Sequence, residues 1–270
     1  MLKDITIGQY FPGNSVIHRL DPRMKIILTT LYVVMLFIPS NPIGLIVGVV
    51  VALGCYLVAK INLRLIVKSL KPVIPIVIFT AVLNMFFVEG DPIFTFYFLK
   101  VTYQGIMLAV LMAIRIVCLI AGTSLLTYTT SPIALTDGIE QLLAPLKRFK
   151  LPVHELAMMM TIALRFIPTL IEETDKIMSA QKARGADMES GGIMQRAKAL
   201  IPILIPLFVS SFRRADELAL AMECRCYRGG EGRTRMKQLK YQRIDSMALL
   251  VCLLCIAVVI WLNFVLPSVY

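Results

Sequence analysis

The sequence predicts an all-α integral membrane protein with about five transmembrane helices and a module of one short and two long coupling helices. Of the 270 residues, 58% are hydrophobic and only 17% are charged, and the mean hydropathy is +0.78. Soluble domains average about 45 to 50% apolar and about 25% charged residues. Because a membrane span needs about 20 residues, this length leaves little room for a separate enzymatic domain.

Five apolar segments predict the spans: 24–38, 43–59, 65–88, 103–126 and 244–266. Asp21 and Pro22 predict the start of the first, because a carboxylate accepts free amide protons and proline suits the first helical position. The organisation expected is a membrane domain of four spans over 1–126, a coupling-helix domain over 127–243 and a final span over 244–270. We expect no cleaved secretory signal, since the first apolar run begins near Met24.

Lysine and arginine mark the cytoplasmic side of a membrane protein. They precede the first span at Lys3, Arg19, Arg23 and Lys25, and follow the second at Lys60, Arg64, Lys68 and Lys71. The segment after the third span holds Glu89 and Asp91 with one cation, Lys100, and is expected outside. These charges predict a cytoplasmic N-terminus and an extracellular C-terminus at Tyr270.

The segment 127–243 contains 18 of the 28 lysines and arginines in a chain of net charge +11. Such a one-sided basic surface fits anionic membrane lipid. The interleaved aromatic residues of a base-stacking surface are missing. We therefore expect a membrane lipid partner and no nucleic acid.

Three helices are predicted in this segment, over 132–147, 152–184 and 193–227. The second has an apolar face at three-and-four spacing and a length on the order of 50 Å. It is expected to be too long and too charged for a span. Its acidic cluster of Glu172, Glu173 and Asp175 is complementary in charge to a basic pair, Arg213 and Arg214, on the third helix. Either the helices cross and some of these residues pair, or both clusters are solvated faces whose exposed pairs contribute about 0 to 1 kcal/mol.

Both long helices end in an arginine between small residues. The first end reads Ala183, Arg184, Gly185 and the second reads Cys224, Arg225, Cys226. A guanidinium presents a planar donor fork, so it can enter a pocket lined by carboxylates or carbonyls. The alternative is a cation at a helix C-terminus, with Gly185 or Gly229 as the cap.

These ends, together with the segments His-Arg-Leu-Asp-Pro-Arg-Met-Lys at 18–25 and Arg-Phe-Ile-Pro at 165–168, resemble a known family. It is the transmembrane (T) component of energy-coupling factor (ECF) transporters, the ABC-type importers of vitamins and transition metals. The resemblance covers essentially the whole chain. It implies that each coupling helix docks an Ala-Arg-Gly end on one of two ATPase subunits. Residues 181–187 match the first motif in full, whereas the second keeps Arg225 between two cysteines.

The resemblance implies a non-catalytic scaffold that couples ATP hydrolysis by two cytoplasmic ECF ATPase subunits to movement of a substrate-binding S component in a vitamin importer. ATP and Mg would bind to the partner ATPases and no cofactor to this chain, which has no phosphate-binding loop motif. Alternatives are a dedicated cobalt/nickel or biotin transporter of the same family, or a membrane-bound enzyme. The spans contain no paired carboxylates to favour the enzyme.

Few other residues suggest chemistry. Arg115, the one ionisable residue deep in a predicted span, can pair with a polar neighbour, snorkel, or contact the substrate-binding subunit. His18 and His154 are far apart in sequence and predict no metal site. Cys252 and Cys255 lie in an apolar span, where packing is the expected role.

Overall fold

The computed structural model describes residues 10–62, 64–88, 92–96, 99–186, 192–229 and 238–265. Several residues used in the orientation and motif arguments lie outside this part of the chain: Lys3, Glu89, Asp91, Asp187 and Tyr270. The chain divides into two compact units. We call the unit built from 8–138 and 239–270 the membrane unit, and the unit that holds 139–238 the long-helix unit.

The described residues form ten α-helices, one 3-10 helix and one short hairpin, in the following order. They are α1 Val16–Arg19, α2 Pro22–Phe37, α3 Pro42–Ala59, α4 Arg64–Leu70, α5 Ile74–Phe87, β1 Pro92–Phe96, β2 Leu99–Thr102, α6 Tyr103–Thr129, α7 Pro132–Leu142, the 3-10 helix Ala144–Phe149, α8 Val153–Ala183, α9 Ile193–Cys224 and α10 Arg243–Val265.

The prediction of a helical protein with several membrane spans is confirmed. By length and composition α3, α6 and α10 can each cross a membrane. The predicted third span is broken: α4 and α5 meet at a bend of 66°. The predicted first span, α2, has 16 residues, or about 24 Å, and is too short to be among the described helices that meet this criterion. By the same criterion α8 also qualifies, contrary to the sequence expectation. Only Glu155 and Arg165 are charged in its first half, and the other five charged residues follow Pro168.

The hairpin between α5 and α6 was not predicted. Its strands β1 and β2 pair antiparallel, with Phe96 opposite Leu99. Thr102 ends the hairpin and begins α6: its hydroxyl accepts the Gly105 amide proton at 3.1 Å and donates to the Val88 carbonyl at 2.8 Å. One threonine side chain therefore joins the end of α5, the hairpin and the start of α6.

Glycines allow the helices of the membrane unit to pack closely. A Cβ atom at Gly122 of α6 would overlap the ring of Tyr32 on α2, and one at Gly48 of α3 would overlap Leu36. The Tyr32 hydroxyl lies 3.1 Å from the Gly48 carbonyl. Tyr32 and Leu36 belong to the buried core that these three helices share with Val259 of α10.

A buried charge cluster joins the start of α2 to the start of α10. Asp21 caps α2 as predicted, accepting the Arg23 amide proton at 3.0 Å. Its own amide donates to Asp245 at 2.9 Å, and Asp245 also accepts the Gln242 amide proton at 2.7 Å. Asp245 is 1% exposed. Asp245 was not predicted from the sequence, although an acidic residue at the start of an apolar segment is the kind of signal that marks a paired group.

The cations of the same cluster reach across the unit. Arg23 donates to the Leu239 carbonyl at 2.9 Å and lies 4.4 Å from the centre of the Tyr241 ring. Lys25 donates to the carbonyls of His18, at 3.1 Å, and Thr129, at 2.8 Å. The segment 18–25 therefore fastens α1, α2, α6 and α10 together.

Arg115 on α6 has a partner within the chain. Its terminal nitrogen donates to the Pro39 carbonyl at 2.9 Å, and the guanidinium lies 6.0 Å from the centre of the Phe37 ring. Of the roles left open, the structure shows pairing with a polar neighbour, in the turn between α2 and α3.

In the long-helix unit, α8 runs from Val153 to Ala183, within one residue of the prediction at each end. The prediction of one helix over 132–147 is wrong at its end, because α7 stops at Leu142 and a 3-10 helix follows. The third predicted helix ends at Cys224, not at residue 227. Near the start of α8, the His154 ring nitrogen Nδ1 lies 3.1 Å from the Glu140 carboxylate oxygen Oε1.

Candidate docking site

Arg184 occupies the C-cap position of α8, in a turn closed by two backbone hydrogen bonds. The Gly185 amide donates to Lys182 at 3.0 Å, and the Ala186 amide donates to Gln181 at 3.0 Å. Gly185 has a φ of 83°. This is the Schellman motif, in which a residue in the left-handed conformation ends the helix and satisfies its last carbonyls.

Arg225 occupies the same position at the end of α9. The Cys226 amide donates to Glu223 at 2.8 Å, and the Tyr227 amide donates to Met222 at 3.0 Å. Cys226 takes the left-handed conformation with a φ of 55°. Gly229, one of the two caps considered from the sequence, does not cap α9. The second helix end therefore keeps the backbone geometry of the first, with cysteine where the first has glycine.

The side chains at both ends are available to a partner. Among the described residues, all six predicted docking residues are exposed: Ala183, Arg184, Gly185, Cys224, Arg225 and Cys226. The Schellman bonds use backbone groups alone, so neither guanidinium is needed to close its own helix. Each arginine is an exposed cation at the end of a long helix, on a backbone that the hydrogen bonds of the Schellman motif fix.

The two long helices contact each other through their predicted charged clusters. The Arg214 guanidinium lies 3.1 Å from the Glu173 carboxylate, with the two side chains 36% and 28% exposed. Further along, the Gln181 side chain donates to the Pro202 carbonyl at 3.4 Å. Residue numbers increase along α8 from the first contact to the second, whereas they decrease along α9. The two helices are therefore antiparallel.

The rest of the predicted crossing set is not brought together. Within the described chain, no ion pair is found for Glu172, Asp175 or Arg213. Glu172 and Arg213 are exposed. The sequence could not single out Glu173 and Arg214, because neighbours on a helix point about 100° apart and only the crossing geometry decides which residue faces the partner.

The two arginine tips are placed symmetrically about the Glu173–Arg214 pair. Arg184 follows Glu173 by 11 residues, and Arg225 follows Arg214 by 11 residues. Eleven residues correspond to about three helical turns and about 16 Å. Arg184 therefore lies on nearly the same face of α8 as Glu173, and Arg225 lies on nearly the same face of α9 as Arg214. The distance along the helix is the same in both cases.

Comparisons with known proteins agree with this architecture. The family model described as cobalt transport protein matches residues 13–236. The energy-coupling factor transporter transmembrane protein of Clostridium kluyveri is 59% identical over 267 residues, covering 97% of this chain and 99% of its own. The proteins of the same name from Acidaminococcus fermentans (55%, covering 99% and 100%) and Bacillus subtilis (47%, covering 97% and 100%) are similar over nearly their whole lengths.

The apolar helices and the matching family model define a multi-pass membrane component of a transport system. With a family model that matches most of the chain and relatives aligned over nearly all of it, the family is established. The chain belongs to the cobalt transport protein family, and its resemblance to the transmembrane component of energy-coupling factor transporters is confirmed.

Proposed function

We propose that this chain is the scaffold of an ATP-driven vitamin importer, and that Arg184 and Arg225 each dock on one of two ATPase subunits in the cytoplasm. The observation that carries the proposal is the repeated helix end. Two arginines at the same C-cap position, each 11 residues beyond a shared ion pair, present matched ends to two similar partners.

The pairing of α8 and α9 suggests how force passes through the chain. Movement of the ATPase pair would be transmitted along α8 and α9 and would tilt or release a substrate-binding S component. The two helices contact each other at Glu173 and Arg214 and again at Gln181 and Pro202, so a displacement at one tip would be carried to the other helix. ATP and Mg would be bound by the ATPase subunits, and this chain would contribute no catalytic residue.

The proposed orientation is based on charge. The exposed cations of the long-helix unit suit the cytoplasmic side of the membrane, and in this orientation both arginine tips would face the ATPases. The N-terminus would then lie in the cytoplasm and the C-terminus outside, after the five spans that the sequence predicts.

The proposal is tested by charge reversal at each tip in a host that also produces the two ATPases and an S component. Arg184→Glu and Arg225→Glu should each reduce ATPase co-purification and vitamin uptake more than tenfold, since truncating one partner of a buried charge pair costs about 2 to 5 kcal/mol. Lys176→Glu on α8 and Arg213→Glu on α9 are matched controls, because both side chains are exposed and precede the tip of their own helix by at least eight residues. Wild-type uptake in both tip variants would overturn the assignment.

A dedicated cobalt or nickel transporter is the second candidate, favoured by the description of the matching family model. The two functions share the same docking ends and differ in cargo. Uptake of labelled cobalt by the reconstituted complex, without stimulation of vitamin uptake by any S component supplied, would favour the metal transporter.

A further inference from the structure

A lateral groove in the membrane unit is not used by the proposed coupling. Its volume is about 670 Å³, and it is bounded by α1, α2, α3, α6 and α10. The floor is buried, at Tyr32, Met35 and Tyr56, whereas the rim is exposed, with Val58 49% and Met247 69% accessible. The described residues that line it are mostly apolar and include no carboxylate.

Small residues keep the groove open. Gly54 lines it on α3, and a Cβ atom built there would meet nothing within 4 Å. Ala248 of α10 also lines it. Nothing in the described chain fills this space, and in a bilayer a space with apolar walls and an exposed apolar rim is open to hydrocarbon.

The groove has the length of one lipid leaflet and a polar end. It runs along α2 from Lys25 to Met35, which is about 15 Å for ten residues, and half of a hydrocarbon core of about 30 Å is the same. Lys25, Thr29 and Thr129 line the end at the start of α2. The Lys25 ammonium has three protons, and its two hydrogen bonds to carbonyls use two of them.

Three exposed cations are within two residues of lining residues at that end. Arg19 precedes the lining residue Leu20, Arg243 precedes the lining residue Ile244, and Lys60 closes α3 just beyond Val58. All three are exposed, whereas Asp21 and Asp245 nearby are buried and engaged by Arg23 and by backbone amides. The accessible charge at this end is therefore positive.

We propose that the groove between α3 and α10 is a binding site for one acyl chain of an anionic phospholipid, whose phosphate meets the exposed cations Arg19, Lys60 and Arg243. The chain lies along α2 and ends near Met35. This proposal does not depend on the proposed coupling function, because the lipid site uses no residue of the docking ends.

The test uses the purified full chain in phosphatidylcholine nanodiscs that contain a small amount of phosphatidylglycerol with a photoactivatable group in its acyl chain. Cross-linked peptides are mapped by mass spectrometry. Wild type should be labelled on α3 and α10, and Gly54→Phe should lose about tenfold, because displacing roughly two methylene groups costs about that factor. Gly54→Ala and Leu57→Phe are controls, since the first adds little volume and Leu57 is exposed outside the groove.

The role of the cations is tested with the triple variant Arg19→Gln, Lys60→Gln and Arg243→Gln. This variant should label equally with phosphatidylglycerol and with a phosphatidylcholine probe, whereas wild type prefers phosphatidylglycerol. Ala248→Leu fills the groove from the opposite wall, in case Gly54→Phe does not fold. Equal labelling of wild type and both filled variants would overturn the site. So would loss of groove labelling in the assembled transporter, which would show that another protein segment occupies it. Equal labelling of wild type by both lipids would overturn the anionic assignment.

Discussion

The repeated Schellman motif predicts that substitutions at two equivalent positions, Gly185→Ala and Cys226→Gly, change the stability of their helix ends in opposite directions. Gly185 and Cys226 both adopt the left-handed conformation. An L-residue pays about 1 to 2 kcal/mol there, partly offset by the lower backbone entropy of a non-glycine residue in the unfolded chain. A Cβ atom at Gly185 meets nothing within 4 Å, so the cost of Gly185→Ala is conformational alone, about 1 kcal/mol net. Cys226→Gly should recover about the same amount.

The readout is fraying of each helix end, measured by rapid hydrogen exchange on the full chain in nanodiscs. An energy of 1 kcal/mol corresponds to a factor of about five in the opening equilibrium. Gly185→Ala should therefore lower protection of the Gly185 and Ala186 amides about fivefold, and Cys226→Gly should raise it about fivefold at Cys226 and Tyr227. Cys226→Ala is the control, because alanine keeps the cost. If Cys226→Gly left protection unchanged while Gly185→Ala lowered it, the two ends would not be equivalent.

Three further predictions follow from named contacts. Arg214→Glu should lower the free energy of unfolding of the α8–α9 pair by about 1 kcal/mol, whereas Arg213→Glu should not. Adding Glu173→Arg to Arg214→Glu should restore the stability. Equal effects of the two arginine changes in a denaturant titration would contradict the crossing geometry. Asp245→Ala should destabilise the membrane unit by about 3 kcal/mol, because two backbone amides and the cations beside them lose a buried acceptor; an unchanged melting temperature would refute this. Gly122→Ala should cost about 1 to 3 kcal/mol by overpacking against Tyr32, whereas Gly54→Ala, with open space at its Cβ, should not; similar melting temperatures for the two variants would argue against the close α2–α6 contact.

The sequence predicted the helices well where a pattern is local. The start of α2 at Asp21 and Pro22 depends on neighbouring residues, and both ends of α8 were predicted within one residue. The break between α4 and α5 was missed because an uninterrupted apolar run does not reveal a bend. The hairpin was missed because two strands this short give little periodicity.

The candidate site was predicted in composition but not in geometry. Arg184 and Arg225 were recognised from their sequence neighbours, yet their equivalence depends on backbone hydrogen bonds that Cys226 forms in place of a glycine. Asp245 was missed because its partners are more than 200 residues away in the chain. Contacts of this kind are set by tertiary packing and leave no local pattern.

The short helices α2 and α5 have a consequence for the bilayer itself. With 16 and 14 residues, they reach about 24 and 21 Å, less than a hydrocarbon core of about 30 Å. A bilayer adapts to a short hydrophobic segment by thinning around it. Lipid that contacts either helix therefore meets a hydrophobic length shorter than its own, and a second membrane protein beside that helix would have less hydrocarbon to cross.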